Sequence, residues 1–457
     1  MTFAFSDILA WTGGTGSPTL PAHCTGVTQD TRTLKPGELY VELRGERLDG
    51  HRFVAQALEK GAAAALVATD WPIPPELAAA PLVRVADPLT ALSDMARAWR
   101  KASSAQIIGL TGSSGKTTTK ELTAALLAAD GRRVCATKGN LNNAIGLPLS
   151  LLSLPPDAAF GVFETGTNHF GEIAHLAGIL RPDAAILTNI GTAHIEHFKT
   201  QAGIAQEKGT LFEGLPPDGF AVLPLETVCF DALAARTRAR IVTVSIHSNE
   251  ADYIGRIVDL ATGHVAVTER ATGETVELQC GLPGEHNILD LLLAYAAARE
   301  AGIPGQVCPA ALLNFRLPGM RWSITEREGV TFINDAYNAN PQSMAAVLKT
   351  FSAYPCKGRR VAVLGDMLEL GELAEPLHRE IGRCAAATGL DLLITVGPLS
   401  RAHLADEARH AGLAPDRIIS FSDTDEAKPA LAPLLHPNDT VLLKASHSIG
   451  LEKLLEP

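Results

Sequence analysis

The residues best suited to chemistry stand together in Thr111-Gly112-Ser113-Ser114-Gly115-Lys116-Thr117-Thr118. Two glycines let the backbone turn sharply and approach a ligand. The amides between them can converge on one point, where the helix opening at Lys116 adds partial positive charge. That is a cradle for a phosphate chain, with Lys116 reaching the β- and γ-phosphates and Thr117 offering its hydroxyl to Mg²⁺. Leu110 stands where the longer nucleotide loop has its first glycine, so this is the shorter T-G-x-x-G-K-T form. A serine-rich helix cap is the bland alternative, but a cap requires neither the lysine nor both glycines.

Other candidates are scattered along the chain. Glu164 closes the apolar run Phe160 to Phe163 and leads into Thr165-Gly166-Thr167-Asn168. A carboxylate at a strand end beside a phosphate loop suits a metal contact, with an exposed strand-end acid as the alternative. His194, in the loop Asn189 to His197, is a metal ligand by position only, since a lone loop histidine is usually unliganded. Lys208 reads as an ordinary helix-surface lysine. Asn287 is placed to N-cap the apolar helix after it, and its amide could also pair with an adenine edge.

The loop Asn334 to Pro341 gathers five polar groups and a helix-starting proline, more than a connection needs. Gly365-Asp366-Met367 and Lys444 to Ser448 end two further strands. Lys444 is read as a cation at a sheet edge, suited to a carboxylate or phosphate. Near the N-terminus Arg32, Arg44 and Arg47 concentrate positive charge, a pattern that by physics alone is more often solvated surface.

The elements that must position these groups alternate strand and helix. A first unit, 1–100, has strands at Leu39 to Leu43 and Ala64 to Val67, a Gly-rich turn at Gly45 to Gly50 and a helix at Phe53 to Lys60. A second, 101–316, places strands at Gln106 to Leu110, Arg133 to Ala136, Phe160 to Glu164, Ala184 to Thr188 and Gly219 to Leu223. The stretch Ile241 to Leu278 looks like antiparallel additions. A third, 317–457, has strands at Thr331 to Ile333, Arg360 to Leu364, Leu392 to Val396 and Thr440 to Lys444. The expected class is α/β: a small N-terminal α/β domain, a central P-loop-type, mostly parallel sheet, and a doubly wound, Rossmann-like C-terminal domain. Linkers between the units predict an open resting arrangement.

Composition sets the bounds. The 457 residues exceed one core, and a 46% hydrophobic, 19% charged chain is that of an ordinary soluble protein. A formal net charge of -11 argues against a broad nucleic-acid surface, so any anion must be held by local basic groups. Seven cysteines without a C-x-x-C pair fit neither a cysteine zinc site nor a disulfide framework and read as reduced thiols of a cytoplasmic protein. The first residues lack a basic, apolar leader, and Leu291 to Ala298 is too short to span a bilayer.

Together, Asp30-Thr31-Arg32 with Asp49-Gly50-His51, TGSSGKTTT, Gly139 to Asn143, Glu164-Thr165-Gly166, Asn189 to His194, Glu207-Lys208-Gly209, Gly284 to Asn287, Asp335 to Pro341, Leu364 to Met367 and Lys444 to Ser448 resemble the Mur ligase family. The resemblance covers nearly the whole chain. Its YNANP and LGDMLELG stretches are similar to the branch that adds a dipeptide, and the Asp-Asn-Pro-Arg signature of the diaminopimelate-adding branch is absent.

The resemblance implies an ATP-dependent amide ligase of peptidoglycan precursor synthesis. ATP would phosphorylate the terminal carboxylate of a UDP-N-acetylmuramoyl tripeptide, and the amine of D-Ala-D-Ala would attack the acyl phosphate. It further implies two Mg²⁺ ions, with Thr117 and Glu164 on one, His194 sharing the second, and Lys208 carried as a carbamate. Lys116, Lys208 and His194 become the catalytic set. Asn287, Arg321 and Asp335 match contacts to the base, phosphates and ribose of ATP.

Thr31, Arg32 and Arg44, in the unit that would bind the UDP end, would contact substrate, as would Asn142, Asn143, Asn168 and Ser446, and the dipeptide would be received near Asn338, Asn340 and Lys444. Ala445 and His447 depart from the family's Gly and Arg. No nucleic acid, no membrane insertion and a monomer are implied. The alternatives are a ligase of the same family adding another amino acid, a folylpolyglutamate synthetase, or, from another class, a nucleotide-hydrolysing switch.

Overall fold

The computed structural model describes residues 1–45 and 49–456; Arg47 and the middle of the expected turn at 45–50 lie outside the described residues. Strands of β-branched and small apolar residues, buried on both faces, are what parallel pairing under helices requires. The centre is β1 (Gln106–Thr111), followed by α1 (Lys116–Leu127) and flanked on either side by β2 (Phe160–Glu164) and β3 (Ala184–Leu187), both parallel to it. Glu164 pairs in register with Leu110, and Leu187 with Thr111. Three strand ends therefore stop at one level, where the loop begins.

The sheet has nine strands, in the order Thr275–Gln279, His264–Glu269, Tyr253–Asp259, Arg240–Ser245, Phe220–Pro224, β3, β1, β2, Val134–Ala136. The expected antiparallel additions are only half of the observed pattern. Arg240–Ser245 joins parallel to Phe220–Pro224, and Tyr253–Asp259 parallel to Arg240–Ser245; antiparallel pairing begins at His264–Glu269. Polar residues at alternate positions fit either direction when an edge is solvated on one face.

Two helices matter for the site: α2 (Gln201–Glu213), which carries Lys208, and α3 (Glu285–Glu300), which packs along α1. Helix α3 is apolar nearly all round, so it lies inside rather than on the surface. Burying Leu291, Leu292 and Leu293 is worth roughly 2 kcal/mol each, enough to carry the buried carboxyl of Asp290 beside them. Asn287 is not the N-cap. Gly284, at φ 101°, occupies that place, and the Asn287 amide donates to the Pro283 carbonyl at 2.7 Å from within the first turn.

The third sheet runs Ser323–Arg327, β4 (Val330–Asn334), β6 (Thr440–Lys444), β5 (Arg360–Gly365), Leu392–Val396 and Ile418–Phe421, parallel except for its first pair. Strand β6 is therefore central, and Lys444 ends it buried rather than at an edge. Helix α4 (Pro341–Ala353) follows β4, capped by Asn340 and Ser343 reciprocally with Pro341 at its first position. The first unit is a five-stranded sheet, Thr15–Gly16, Leu82–Val85, Ala64–Ala68, Leu39–Val41 and Val27–Thr28, with one antiparallel pair.

The arrangement is closed between the second and third units, unlike the expected open one. One buried apolar cluster runs from Leu187, Ile190 and Ile195 to Met344, Val347 and Leu370. Linkers permit opening, but apolar surface on both sides of this seam favours contact.

Candidate active site

The phosphate loop is held open by its neighbours rather than by itself. A side chain at Gly112 would meet Thr188 Oγ1 at 1.8 Å, and one at Gly115, where φ is +77°, would meet the Asp290 carboxylate at 2.4 Å. Both positions therefore require glycine for space, and Gly115 also for its left-handed backbone. The strand-end loop after β3 clamps the turn: Ser113 N donates to Asn189 O at 3.1 Å, Ser114 N to Asn189 Oδ1 at 3.0 Å, and Gly191 N to Ser113 Oγ at 2.9 Å.

Lys116 turns its ammonium back onto Gly112 O at 2.8 Å. Burial, reinforced by Arg321, holds its pKa below the usual lysine range, while Glu164 opposes the shift. Such a lysine gains most when an anion arrives to replace the lost solvent.

Around the loop lies a cavity of about 650 Å³. Ser113, Ser114, Gly115, Lys116, Thr117 and Thr118 line it, with Asn142, Asn143, Glu164, Asn168, His194, Asn287, Arg321, Asp335, Asn338, Asn340 and Lys444, so residues more than 300 positions apart in the chain face one space. Arg321 spans two units, donating to Thr117 Oγ1 at 3.0 Å while its guanidinium stacks 3.7 Å over the Tyr337 ring. Lys444 bridges Asp335 Oδ2 at 2.6 Å and Asn338 O at 3.0 Å, fixing the loop between β4 and α4. Asn340 Nδ2 donates to Ser114 Oγ at 3.0 Å, so the start of α4 touches the phosphate loop.

Glu164 is buried with Oε1 unpartnered among the described residues, and Lys120 Nζ lies 3.9 Å from it. Lys208 is buried as well, on α2, and burial together with nearby Lys116 depresses its pKa well below the usual value, against Glu207. Lys208 is thus not the surface lysine its spacing indicates. His194, itself in a left-handed conformation, faces Glu369 of the third unit. His286 faces Asp335 and Lys444, and burial pushes it down to about 4.

Several expected residues stand outside the cavity. Thr111 is interior to the sheet, donating to Thr165 O, and Gly112 contributes only its carbonyl to Lys116. Ser446 accepts from Leu368 N at 3.0 Å and is buried. Thr31, Arg32 and Arg44 lie in the first unit and are occupied locally: Thr31 with Gln56, Arg32 with Asp30, Arg44 with Asp70. The departure His447 rests against Tyr337, ring centroids 5.6 Å apart.

Four residues that shape the site gave no separate sign in the sequence. Asp290 and Glu369 are single charges whose neighbours in the site come from elsewhere in the fold, and Lys120 pairs with adjacent Glu121 while also donating to Thr137 O at 2.6 Å. Gln342 Oε1 accepts from Thr192 N and Oγ1 at 3.1 and 2.9 Å. Only the motif stretches in which Lys120 and Glu369 sit could have drawn attention to them.

Known proteins share this arrangement from end to end. Three family models match in succession: Mur ligase family, catalytic domain, over 23–100; Mur ligase middle domain over 110–298; and Mur ligase, glutamate ligase domain, over 320–447. The chain is 36% identical over 433 residues to the UDP-N-acetylmuramoyl-tripeptide--D-alanyl-D-alanine ligase of Escherichia coli, covering 94% of this chain and 92% of that one. It is 35% identical over 434 residues to the enzyme of the same name from Bacillus subtilis, with the same coverage, 94% and 92%.

Among solved structures it superimposes on MurF from Acinetobacter baumannii with a TM-score of 0.87 at 28% identity, over 100% of this chain and 98% of that one. The MurF ligase of Thermotoga maritima in complex with ADP gives 0.79 at 26% identity, over 96% and 97%. With the loop, the converging strand ends and the third sheet all in the order those proteins share, the chain belongs to the Mur ligase family.

Proposed function

We propose that this protein is an ATP-dependent peptide ligase that joins D-alanyl-D-alanine to UDP-N-acetylmuramoyl-tripeptide, releasing ADP and phosphate. The observation that carries this reading is full-length similarity to ligases of that name, together with a cavity in which the phosphate loop faces the strand ends of the third unit. Carboxylate and amine do not condense unaided in water, so the carboxylate must first gain a leaving group. The loop holds the triphosphate with its γ-phosphate toward Glu164 and the asparagine-rich wall. Lys116 leaves Gly112 O for the β/γ oxygens and balances the charge that builds there as the phosphoryl passes to the tripeptide carboxylate.

The donor set fits magnesium: a Thr117 hydroxyl, a buried Glu164 carboxylate with an unpartnered oxygen, and His194 at the rim. When bound, the metal would supply charge neutralisation between phosphate oxygens. Lys208 fits a carbamate. Burial and the nearby Lys116 lower the pKa of its amine, which favours the neutral form whose nitrogen lone pair can bond the carbon of CO₂ while one N–H proton leaves. That converts a lysine repelled by Lys116 into an anion able to attract it and to serve a cation.

Arg321 on Thr117 and Tyr337 is set to meet phosphate, Asp335 the ribose and Asn287 the base. Lys444, Asn338 and Asn340 hold the wall that receives the dipeptide, and its incoming amine attacks the acyl phosphate there. Arg32, Arg44 and Thr31 take the UDP end. On this reading the enzyme acts in the cytoplasm, as a monomer, in cell-wall precursor synthesis. Among the described residues no helix is long and apolar enough to cross a membrane.

Phosphate release measured with each substrate alone and together tests the reading. Release that needs ATP, the UDP-linked tripeptide and D-Ala-D-Ala at once supports it. Release from ATP alone would make the protein a nucleotide-hydrolysing switch, and release supported by a single amino acid in place of the dipeptide would move it to another branch.

A further inference from the structure

The first unit carries a second concentration of chemistry that takes no part in the cavity. Glu42 directly follows the strand Leu39–Val41 and is 0% exposed, His51 is 5% exposed, and Asp49 stands at the rim. His51 lies between the two acids: Nδ1 is 2.8 Å from Asp49 Oδ1, and Nε2 is 3.2 Å from Glu42 Oε2. Among the described residues eleven buried polar side-chain atoms lack a hydrogen-bond partner, and three of them, Glu42 Oε1, Glu42 Oε2 and His51 Nε2, meet here. That convergence is what calls for an occupant, since each orphaned buried polar atom costs on the order of 1–3 kcal/mol.

We propose that Glu42 and His51, supported by Asp49, form a binding site for a first-row divalent cation of the zinc class. A proton shared between Glu42 Oε2 and His51 Nε2 would satisfy two of the three atoms and leave Oε1 bare. A cation satisfies all three, and it offsets the charge of a carboxylate that cannot reach water. The spacing agrees: two ligand atoms each about 2.1 Å from a metal sit roughly 3 to 3.4 Å apart.

Asp49 accepts from Nδ1–H and so presents the bare Nε2 to Glu42, the carboxylate–imidazole–metal order that orients metal-bound histidines. Imidazole with carboxylate selects zinc, cobalt or iron over magnesium. The frame is stiff. Trp71 stacks on the His51 ring with centroids 4.6 Å apart, and Gly50 N donates to Leu43 O at 3.1 Å, which ties the residue before His51 to the end of the strand carrying Glu42.

The test uses the full chain, stripped with chelator and dialysed against zinc in excess magnesium. Bound zinc is counted in the wild type, Glu42→Gln and His51→Gln. The wild type is expected to retain one zinc more per chain than either variant, whatever the free cysteines bind in all three. Zinc should also raise the wild-type Tm by about 3 °C or more, and the Tm of the variants by less. Cobalt titrated into the wild type gives a visible d–d absorption that zinc abolishes; this readout stands even where a variant fails to fold.

Equal zinc counts in the wild type and a folded Glu42→Gln, or no cobalt absorption in the wild type, would overturn the proposal in favour of a shared proton. None of the three residues lines the nucleotide cavity, and zinc counts and cobalt absorption are read without turnover, so failure of this proposal and failure of the ligase reading are distinguishable.

Discussion

The phosphate loop and the arginines of the first unit face the same problem, holding an anion on a chain of net charge -11, and meet it in opposite ways. In the loop the cation, Lys116, is desolvated and bonded to its own backbone, and three donors around Asn189 and Gly191 fix the turn before any ligand arrives. In the first unit the Arg32 side chain is 86% exposed and doubly hydrogen-bonded to Asp30, and Arg44 is paired with exposed Asp70. A preorganised, partly desolvated site returns much of its interaction energy to a transition state, whereas a solvated ion pair exchanges one partner for another at a net worth below ~1 kcal/mol. Under the proposed function, the loop serves the chemistry and the first unit the grip. Substitutions should separate accordingly.

The largest effect is expected at Lys116. Lys116→Ala should lower kcat about a thousandfold or more and abolish acyl phosphate, detected by trapping with hydroxylamine, while the thermal melt barely moves. Near-normal turnover would end the assignment of the loop. Next comes Lys208→Ala, expected to lose roughly a hundredfold in activity and to recover part of it when short carboxylic acids are added in place of the carbamate. An absence of rescue, with no carbamate carbon signal in the 13C NMR spectrum of the folded wild type under labelled bicarbonate, would remove the carbamate and leave Lys208 a buried structural amine.

Gly115→Ala should follow with about a tenfold rise in the KM for ATP. The left-handed backbone costs ~1 kcal/mol there, and the new methyl must displace Asp290 from 2.4 Å. Asp290→Ala in the same chain should return part of that affinity. If it returns none, the clash is not the cause.

The contrast also explains what could be read without a structure. The loop, β2 ending in Glu164 and the polar turn before α4 were legible because each is a local pattern: strand, turn chemistry and helix start within ten residues. Lys208 reads as surface because helical spacing does not reveal that α2 is covered on the side carrying it. Lys444 reads as an edge residue because strand order is non-local, and β6 enters the sheet between β4 and β5. For Asn287 the sequence leaves a cap and a base contact both open, and Gly284, three residues earlier, takes the cap position. Asp49 and His51 stand in a stretch the sequence singles out, but Glu42 gives no sign there, since it is one acid at the end of an apolar strand until its surroundings are known.

Two smaller effects sharpen the comparison at its margins. His286 is pushed down to about 4 in the folded chain against an ordinary value near 6.5. A histidine with a depressed folded pKa favours the native state above the unfolded value, and that contribution is lost as pH falls from about 6.5 toward 4. Since the ring is partly exposed, the loss between pH 7 and 5 should be about 1 kcal/mol by urea unfolding, and His286→Gln should flatten it. An unchanged slope in the variant would assign the pH dependence to another group.

Arg32→Ala should produce the smallest change, a threefold to tenfold rise, roughly, in the KM for the UDP-linked substrate with kcat untouched, and a weaker dependence of KM on salt. The reason lies in Asp30: the guanidinium must partly leave one carboxylate to meet a diphosphate, so most of what it gains from the ligand it has already given up. A fall in kcat comparable with that of Lys116→Ala would contradict the division itself, because it would mean that an exposed, already paired arginine is coupled to the transferring phosphoryl group.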